Sequence, residues 1–138
     1  MSNHSDSSLP TQTILCAEDN PHDRYFLGEA FETIGLNVKI ETVTDGDELL
    51  RRLTNPTSYD LVVMDANLPR LSALEVLTAI QLEGQSMPSP VVVLSSYLSQ
   101  PHKDKLEALG VQAVFTKPMD FDQYVHLAKT ISKFLQPV

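Results

Sequence analysis

The sequence predicts a doubly wound α/β fold, with a five-stranded parallel sheet and five helices on its two faces. Three observations predict it. Five short apolar runs, rich in β-branched residues, alternate with five segments of helical periodicity. The central runs are continuously apolar rather than alternating, as expected of strands buried on both faces. Regular alternation of strand and helix implies parallel pairing through right-handed crossovers.

Residues 1–12, MSNHSDSSLPTQ, are small and polar and are expected to form a disordered tail before a domain spanning 13–138. Ile14–Ala17 reads as the first strand. Pro21–Ile34 reads as the first helix: Phe26, Leu27, Ala30, Phe31 and Ile34 share a face, and Gly35 stops it. Val38–Val43 and Asp45–Leu53 are the second strand and helix. Leu61–Met64 is the third strand. Ser72–Glu83 follows as a helix with Ala73, Val76, Leu77 and Ile80 on one face, Ser72 at its N-cap and Glu75 three residues on. Val91–Leu94 is the fourth strand. Pro101–Leu109, marked mainly by Leu106 and Leu109, is the weakest helix and the candidate mobile element. Val111–Phe115 is the last strand. Phe121–Leu135 carries the longest apolar stripe: Tyr124, Leu127, Ala128, Ile131, Phe134 and Leu135. For five strands the common doubly wound order is 2-1-3-4-5.

Composition removes several function classes. A net charge of −8 and scattered basic residues argue against a nucleic-acid surface. No stretch approaches a membrane span, and the N-terminus lacks a signal-peptide core, so a cytoplasmic protein is expected. The single cysteine, Cys16, lies in the first apolar run and reads as a small core residue. His4, His22, His102 and His126 lack zinc spacing and read as surface residues, with His22 near the acidic cluster.

Asp65 is the most informative residue. It ends the buried run Leu61-Val62-Val63-Met64 and opens the turn Ala66-Asn67-Leu68-Pro69. A carboxylate at such a place is costly without a partner or a task. The first strand runs into Glu18-Asp19 in the same way. In the order 2-1-3-4-5, strands 1 and 3 are neighbours, so Glu18, Asp19 and Asp65 converge at the ligand-binding edge of the sheet. Ser95-Ser96 and Lys117-Pro118 end the adjoining strands. Three carboxylates suit magnesium and phosphate chemistry. The cation would ease an anionic nucleophile's approach to a phosphoryl donor, a lysine would add positive charge, and a serine hydroxyl can donate to the phosphate or turn away.

From about Thr13 to Leu135 the chain resembles the receiver domain of two-component response regulators, the chemotaxis-type, flavodoxin-like fold. The resemblance rests on Ala17-Glu18-Asp19-Asn20, Val63-Met64-Asp65-Ala66-Asn67-Leu68-Pro69, Val92-Val93-Leu94-Ser95-Ser96 and Thr116-Lys117-Pro118. Ser95 follows Asp65 by 30 positions, and Lys117 follows Ser95 by 22, as in the family. The resemblance implies that Asp65 is the phosphoacceptor and Asp19 a direct Mg2+ ligand. Glu18 would act largely through water, and the backbone carbonyl of Asn67 would join the ion. Ser95 and Lys117 would bind the phosphoryl oxygens, and a cis Pro118 would fix the last turn. Each residue alone has an ordinary explanation: a helix-capping acid, an Asx turn, a loop serine, a solvated lysine. The joint spacing displaces them.

Three positions depart from the family pattern. Ala73 stands where glycine is usual. Val114 stands where an aromatic switch residue is usual, and Phe115 beside it faces the other side of a strand. Tyr97 lies two residues after Ser95, where it could screen the phosphoaspartate from water or take part of the switching role. A stand-alone receiver is therefore expected, loaded by a histidine kinase or phosphotransfer protein. With only Gln136-Pro137-Val138 after the last helix, its output is expected to be a downstream protein partner, a relay, or a homodimer through the fourth and fifth strand–helix face. The rivals are a non-phosphorylated scaffold, an aspartate-nucleophile phosphohydrolase and a flavin-binding fold. Asn67 argues against the phosphohydrolase, which would want aspartate there; Asn20-Pro21-His22-Asp23 argues against the flavin fold.

Overall fold

Leu15, Ala17, Val62, Met64 and Val93 pack on one side of a central sheet, and Ile14, Cys16, Leu61, Val63, Val92 and Leu94 on the other. Successive side chains of a strand point to opposite faces, so strands apolar at every position need cover on both sides. The computed structural model, which describes residues 12–55, 59–85, 87 and 89–135, supplies it. The elements are β1 (Gln12–Ala17), α1 (Pro21–Thr33), β2 (Val38–Val43), α2 (Gly46–Thr54), β3 (Leu61–Asp65), α3 (Ala73–Leu82), β4 (Val91–Ser95), α4 (Gln100–Ala108), β5 (Ala113–Thr116) and α5 (Phe121–Ser132). The strands are all parallel, in the order β2-β1-β3-β4-β5. Helices α1 and α5 cover one face through Leu27, Ala30, Phe31, Tyr124, Leu127 and Ile131. Helices α2, α3 and α4 cover the other through Leu49, Leu53, Val76, Leu77, Ile80 and Leu106.

The boundaries differ slightly from those expected. β1 takes in Gln12, assigned above to the tail, because Gln12 and Thr13 continue the parallel register onto Val38 and Lys39. Residues 1–11 and 136–138 lie outside the described residues. β5 starts at Ala113; Val111 instead plugs the core beside Leu106. His22 and His126 are exposed as expected, but His102 is half-buried, with its Nε2 shielded from solvent. His4 lies outside the described residues. Cys16 is buried, and burial pushes its thiol up to about 12, which makes it an inert core residue.

The helix starts place the loops at the carboxyl edge. Asn20 caps α1, accepting from the backbone N–H groups of His22 and Asp23 at 2.9 and 3.0 Å. Ser72 and Glu75 form the full capping box of α3. Asp45, Ser99 and Asp120 cap α2, α4 and α5. Among these helices α4 buries a single side chain, Leu106, worth about 1.5–3 kcal/mol. Helix α5 buries Tyr124, Leu127, Ala128 and Ile131. Helix α4 is thus the one held least strongly to the sheet.

Two features of the β3–α3 loop were not visible in the sequence. Arg70, not Ala73, adopts the left-handed conformation, with φ 71°. Ala73 instead begins α3, fully buried, its N–H bonded to Ala66 O at 3.2 Å. Gly46, the first residue of α2, lies against the same loop and donates its N–H to Pro69 O at 3.0 Å. A Cβ at residue 46 would sit 2.0 Å from the Leu71 carbonyl oxygen, an impossible contact. Gly46→Ala should therefore cost about 2–4 kcal/mol and lower Tm by roughly 10 °C in a thermal melt.

Candidate functional site

Asp65 is the last residue of β3, paired in register with Leu94 of β4. By alternation from Leu61 and Val63 it belongs to the α1–α5 side of the sheet. Its Oδ1 accepts from the Asn67 backbone N–H at 3.1 Å, and Oδ2 accepts from Lys117 Nζ at 3.1 Å. Glu18 leaves the neighbouring β1, anchored by its N–H to Val43 O at 3.0 Å and by Arg24 Nη1 on its carbonyl at 2.9 Å. Its Oε2 accepts from the Asn20 N–H at 3.1 Å. Because Asn20 is the helix cap, Asp19 is left free of that duty.

Glu18, Asp19 and Asp65 each present a carboxylate oxygen within 4.8 Å of the others. Glu18 and Asp65 are buried, and Asp19 faces solvent. The convergence expected from the strand order is met. Lys117 follows β5, with its N–H on Ser95 O at 2.9 Å. Its ammonium reaches Glu18 Oε1 at 2.9 Å, Asp23 Oδ2 at 3.0 Å and Asp65 Oδ2 at 3.1 Å. Burial alone would lower its pKa; the hydrogen bonds to Glu18, Asp23 and Asp65 more than reverse this and raise it. Burial pushes the Glu18 carboxyl up to about 7; the Lys117 hydrogen bond draws it down and the Asp65 charge pushes it up.

Pro118 is a correction. No cis peptide bond occurs among the described residues, so the Lys117–Pro118 bond is trans. The trans form is favoured by about 0.5–1 kcal/mol. With it, Lys117 already meets Glu18, Asp23 and Asp65.

Ser95 ends β4, buried, and its hydroxyl donates to the Tyr97 carbonyl at 2.6 Å. Ser96 and Tyr97 are exposed, Tyr97 81% so. Val114 packs with the α2–α4 core and Phe115 with the α1–α5 core, so the two do face opposite sides. A cavity of about 240 Å³ lies beside Val114, lined also by Ser95, Leu98, Lys103 and Thr116.

Asp23 and Tyr124 were missed as site residues. Tyr124 donates its hydroxyl to Asp23 Oδ1 at 2.9 Å. In the sequence Tyr124 belongs to an apolar stripe, but a buried phenol needs a hydrogen-bond partner, and that requirement is the available signal. Asp23, four residues beyond Asp19 on a helix, gave none of its own. No helix among the described residues is long and apolar enough to cross a membrane.

The model of the response regulator receiver domain matches residues 14–129. The chain is 28% identical over 122 residues to the serine/threonine-protein kinase RIM15 of Saccharomyces cerevisiae, covering 88% of this chain but 6% of that protein. It is 27% identical over 126 residues to the probable methanogenesis regulatory protein FilR2 of Methanothrix harundinacea, covering 88% and 81%. Among solved structures it is similar to the phosphorylated cyanobacterial phytochrome response regulator RcpA, at 28% identity and TM-score 0.78, covering 91% and 94% of the two chains. The fold alone is shared with response regulator RPA3017 of R. palustris, at 23% identity and TM-score 0.79, covering 92% and 99%. The fold, the matched residues and the acidic edge of the sheet agree: this chain belongs to the response regulator receiver domain family.

Proposed function

We propose that the chain accepts a phosphoryl group on Asp65 from a histidine kinase or phosphotransfer protein and signals through a protein partner. The observation that carries this reading is the Lys117 ammonium seated on the buried Asp65 carboxylate, beside two further acids at the same sheet edge. Relatives support it: a segment of the sensor histidine kinase GacS of Pseudomonas protegens is 29% identical, and RcpA is described in a phosphorylated form. In the transfer, an Asp65 oxygen forms a bond to phosphorus as the donor's phosphorus–nitrogen bond breaks, and the departing imidazole takes up a proton. Lys117 supplies a fixed positive charge to the phosphoryl oxygens. Ser95 turns its hydroxyl from Tyr97 O to a phosphoryl oxygen. The chain works on its own phosphoryl group, in the cytoplasm with the protein that loads it.

Receiver domains bind Mg2+ at an acidic pocket, and the donor set here fits that ion. Three hard oxygen ligands converge from Glu18, Asp19 and Asp65, and the Asn67 carbonyl would complete the protein's share. Bound there, Mg2+ would neutralise the meeting of two anions.

Ser95 cannot reach a phosphoryl oxygen and keep its bond to Tyr97 O, since a hydroxyl has one proton. Phosphorylation then frees the loop that leads into α4, the helix with one buried anchor. Val114 supplies no ring to follow the hydroxyl, whereas Tyr97 lies on the freed loop. Tyr97 therefore takes the reporting role.

A small phosphodonor with Mg2+ should label the protein, and Asp65→Asn should abolish the label; equal labelling of the variant would refute the assignment. Magnesium should raise Tm. Glu18 titrates higher in the fold than in the unfolded chain, so the metal-free fold holds the extra proton and loses stability as pH rises from about 4.5 to about 7. Metal binding needs the carboxylate, so the Mg2+-induced Tm gain should be larger near pH 8 than near pH 6. A gain that shrinks over that range would contradict the site. Tyr97→Ala should change the phosphoaspartate lifetime or the affinity of the phosphorylated protein for its partner, and no change in either would remove Tyr97 from the mechanism.

A further inference from the structure

We propose that Asp23 and Tyr124 are positioning residues for the chemistry of Asp65: Asp23 holds the Lys117 ammonium over the acceptor, and the Tyr124 hydroxyl holds Asp23. The inference rests on the phosphoacceptor reading and deepens it. An ammonium has three protons to donate. Lys117 directs them to Glu18, Asp23 and Asp65 at 2.9, 3.0 and 3.1 Å. Glu18 and Asp65 also belong to the three-carboxylate group that suits a cation, and Asp23 does not. When Asp65 carries a phosphoryl group, or the cation engages the other acids, Asp23 is the carboxylate that stays with the lysine.

The second oxygen of Asp23 is also engaged. Oδ1 accepts from the Tyr124 hydroxyl at 2.9 Å, while Oδ2 holds Lys117. A carboxylate gripped at both oxygens cannot rotate without losing both bonds. Both ends of this grip are firmly placed. Asp23 sits in the first turn of α1, fixed by the Asn20 cap and Pro21. Tyr124 is 2% exposed on α5, its ring 5.8 Å from that of Phe26 on α1. An extra acid beside an anion-accepting site also has an electrostatic cost, since it repels the donor. Holding the Lys117 cation over the acceptor is the task that offsets it. The chain Lys117–Asp23–Tyr124 therefore joins the acceptor to the α1–α5 contact, on the face opposite Val114.

The test uses the full chain with phosphoramidate and Mg2+, comparing wild type, Asp23→Asn, Tyr124→Phe and the double variant. Asp23→Asn should slow labelling of Asp65 about tenfold, and Tyr124→Phe by about threefold, as expected for loss of one charge-assisted bond and of its support. The double variant should be no slower than Asp23→Asn, because Tyr124 acts through Asp23. A second readout needs no metal or donor: the 15N ammonium signal of Lys117 should be protected from solvent exchange in wild type and lost in Asp23→Asn. Wild-type rates in Asp23→Asn, or losses that multiply in the double variant, would overturn the proposal. If Asp23→Asn melts early, Tyr124→Phe decides: a slower rate at unchanged Tm supports the pair, and an unchanged rate overturns it. A wild type that takes no label overturns the phosphoacceptor reading itself, and this inference with it.

Discussion

Four carboxylates, those of Glu18, Asp19, Asp23 and Asp65, meet at the carboxyl edge of β1 and β3, and one ammonium stands among them. Two unit charges 4 Å apart repel by about 4 kcal/mol at an effective dielectric near 20. Crowding of this kind would push the β1–α1 and β3–α3 loops apart without a counter-charge. Lys117 is that counter-charge, with its side chain only 11% exposed and bonded to three of the four acids. Taking it away would leave buried carboxylates uncompensated, a loss of about 3–5 kcal/mol for a broken buried pair. The strand order serves this contact. It seats β3 beside β1, and β4 between β3 and β5, so that one lysine after the last strand can reach acids from the first and third.

The sheet also divides the site's connections between its two faces. Phe115, Tyr124 and the α1–α5 contact lie on one side, and Val114 with the α2–α4 core on the other. The Ser95 hydroxyl leads into the α4 loop, whereas the Lys117 ammonium leads to α1 and α5. Two separate physical routes therefore leave the same end of the sheet. One depends on a hydroxyl that can change partners, the other on a carboxylate held from both ends.

What could be read from the sequence follows from what is local. Continuous apolar runs gave the buried strands, Ser72 and Glu75 gave a capping box, and alternation gave the opposite faces of Val114 and Phe115. The meeting of Glu18, Asp19 and Asp65 followed from topology, because a strand order fixes which ends are neighbours. What escaped depends on contacts between distant segments. Gly46 is required by Leu71, 25 positions later. Asp23 owes its role to Lys117 and Tyr124, 94 and 101 positions away. The trans Lys117–Pro118 bond and the left-handed Arg70 are choices of backbone that the residue types leave open.

On the proposed reading of Asp65 as phosphoacceptor, the hydroxyl of Ser95 would set how cleanly the domain can be off. Its bond to the Tyr97 carbonyl, at 2.6 Å, is between neutral groups, and a bond of that kind is worth about 0.5–1.5 kcal/mol net. A loop restrained by that alone would open in roughly one molecule in ten at rest. A bond to a phosphoryl oxygen is charge-assisted and worth about 1.5–3 kcal/mol. The difference between them, about 1–2 kcal/mol, moves the equilibrium by a factor of about 5 to 30. Taken by itself, this contact would make a graded control with a basal leak, and a partner that must ignore the resting protein would need a binding threshold set above it.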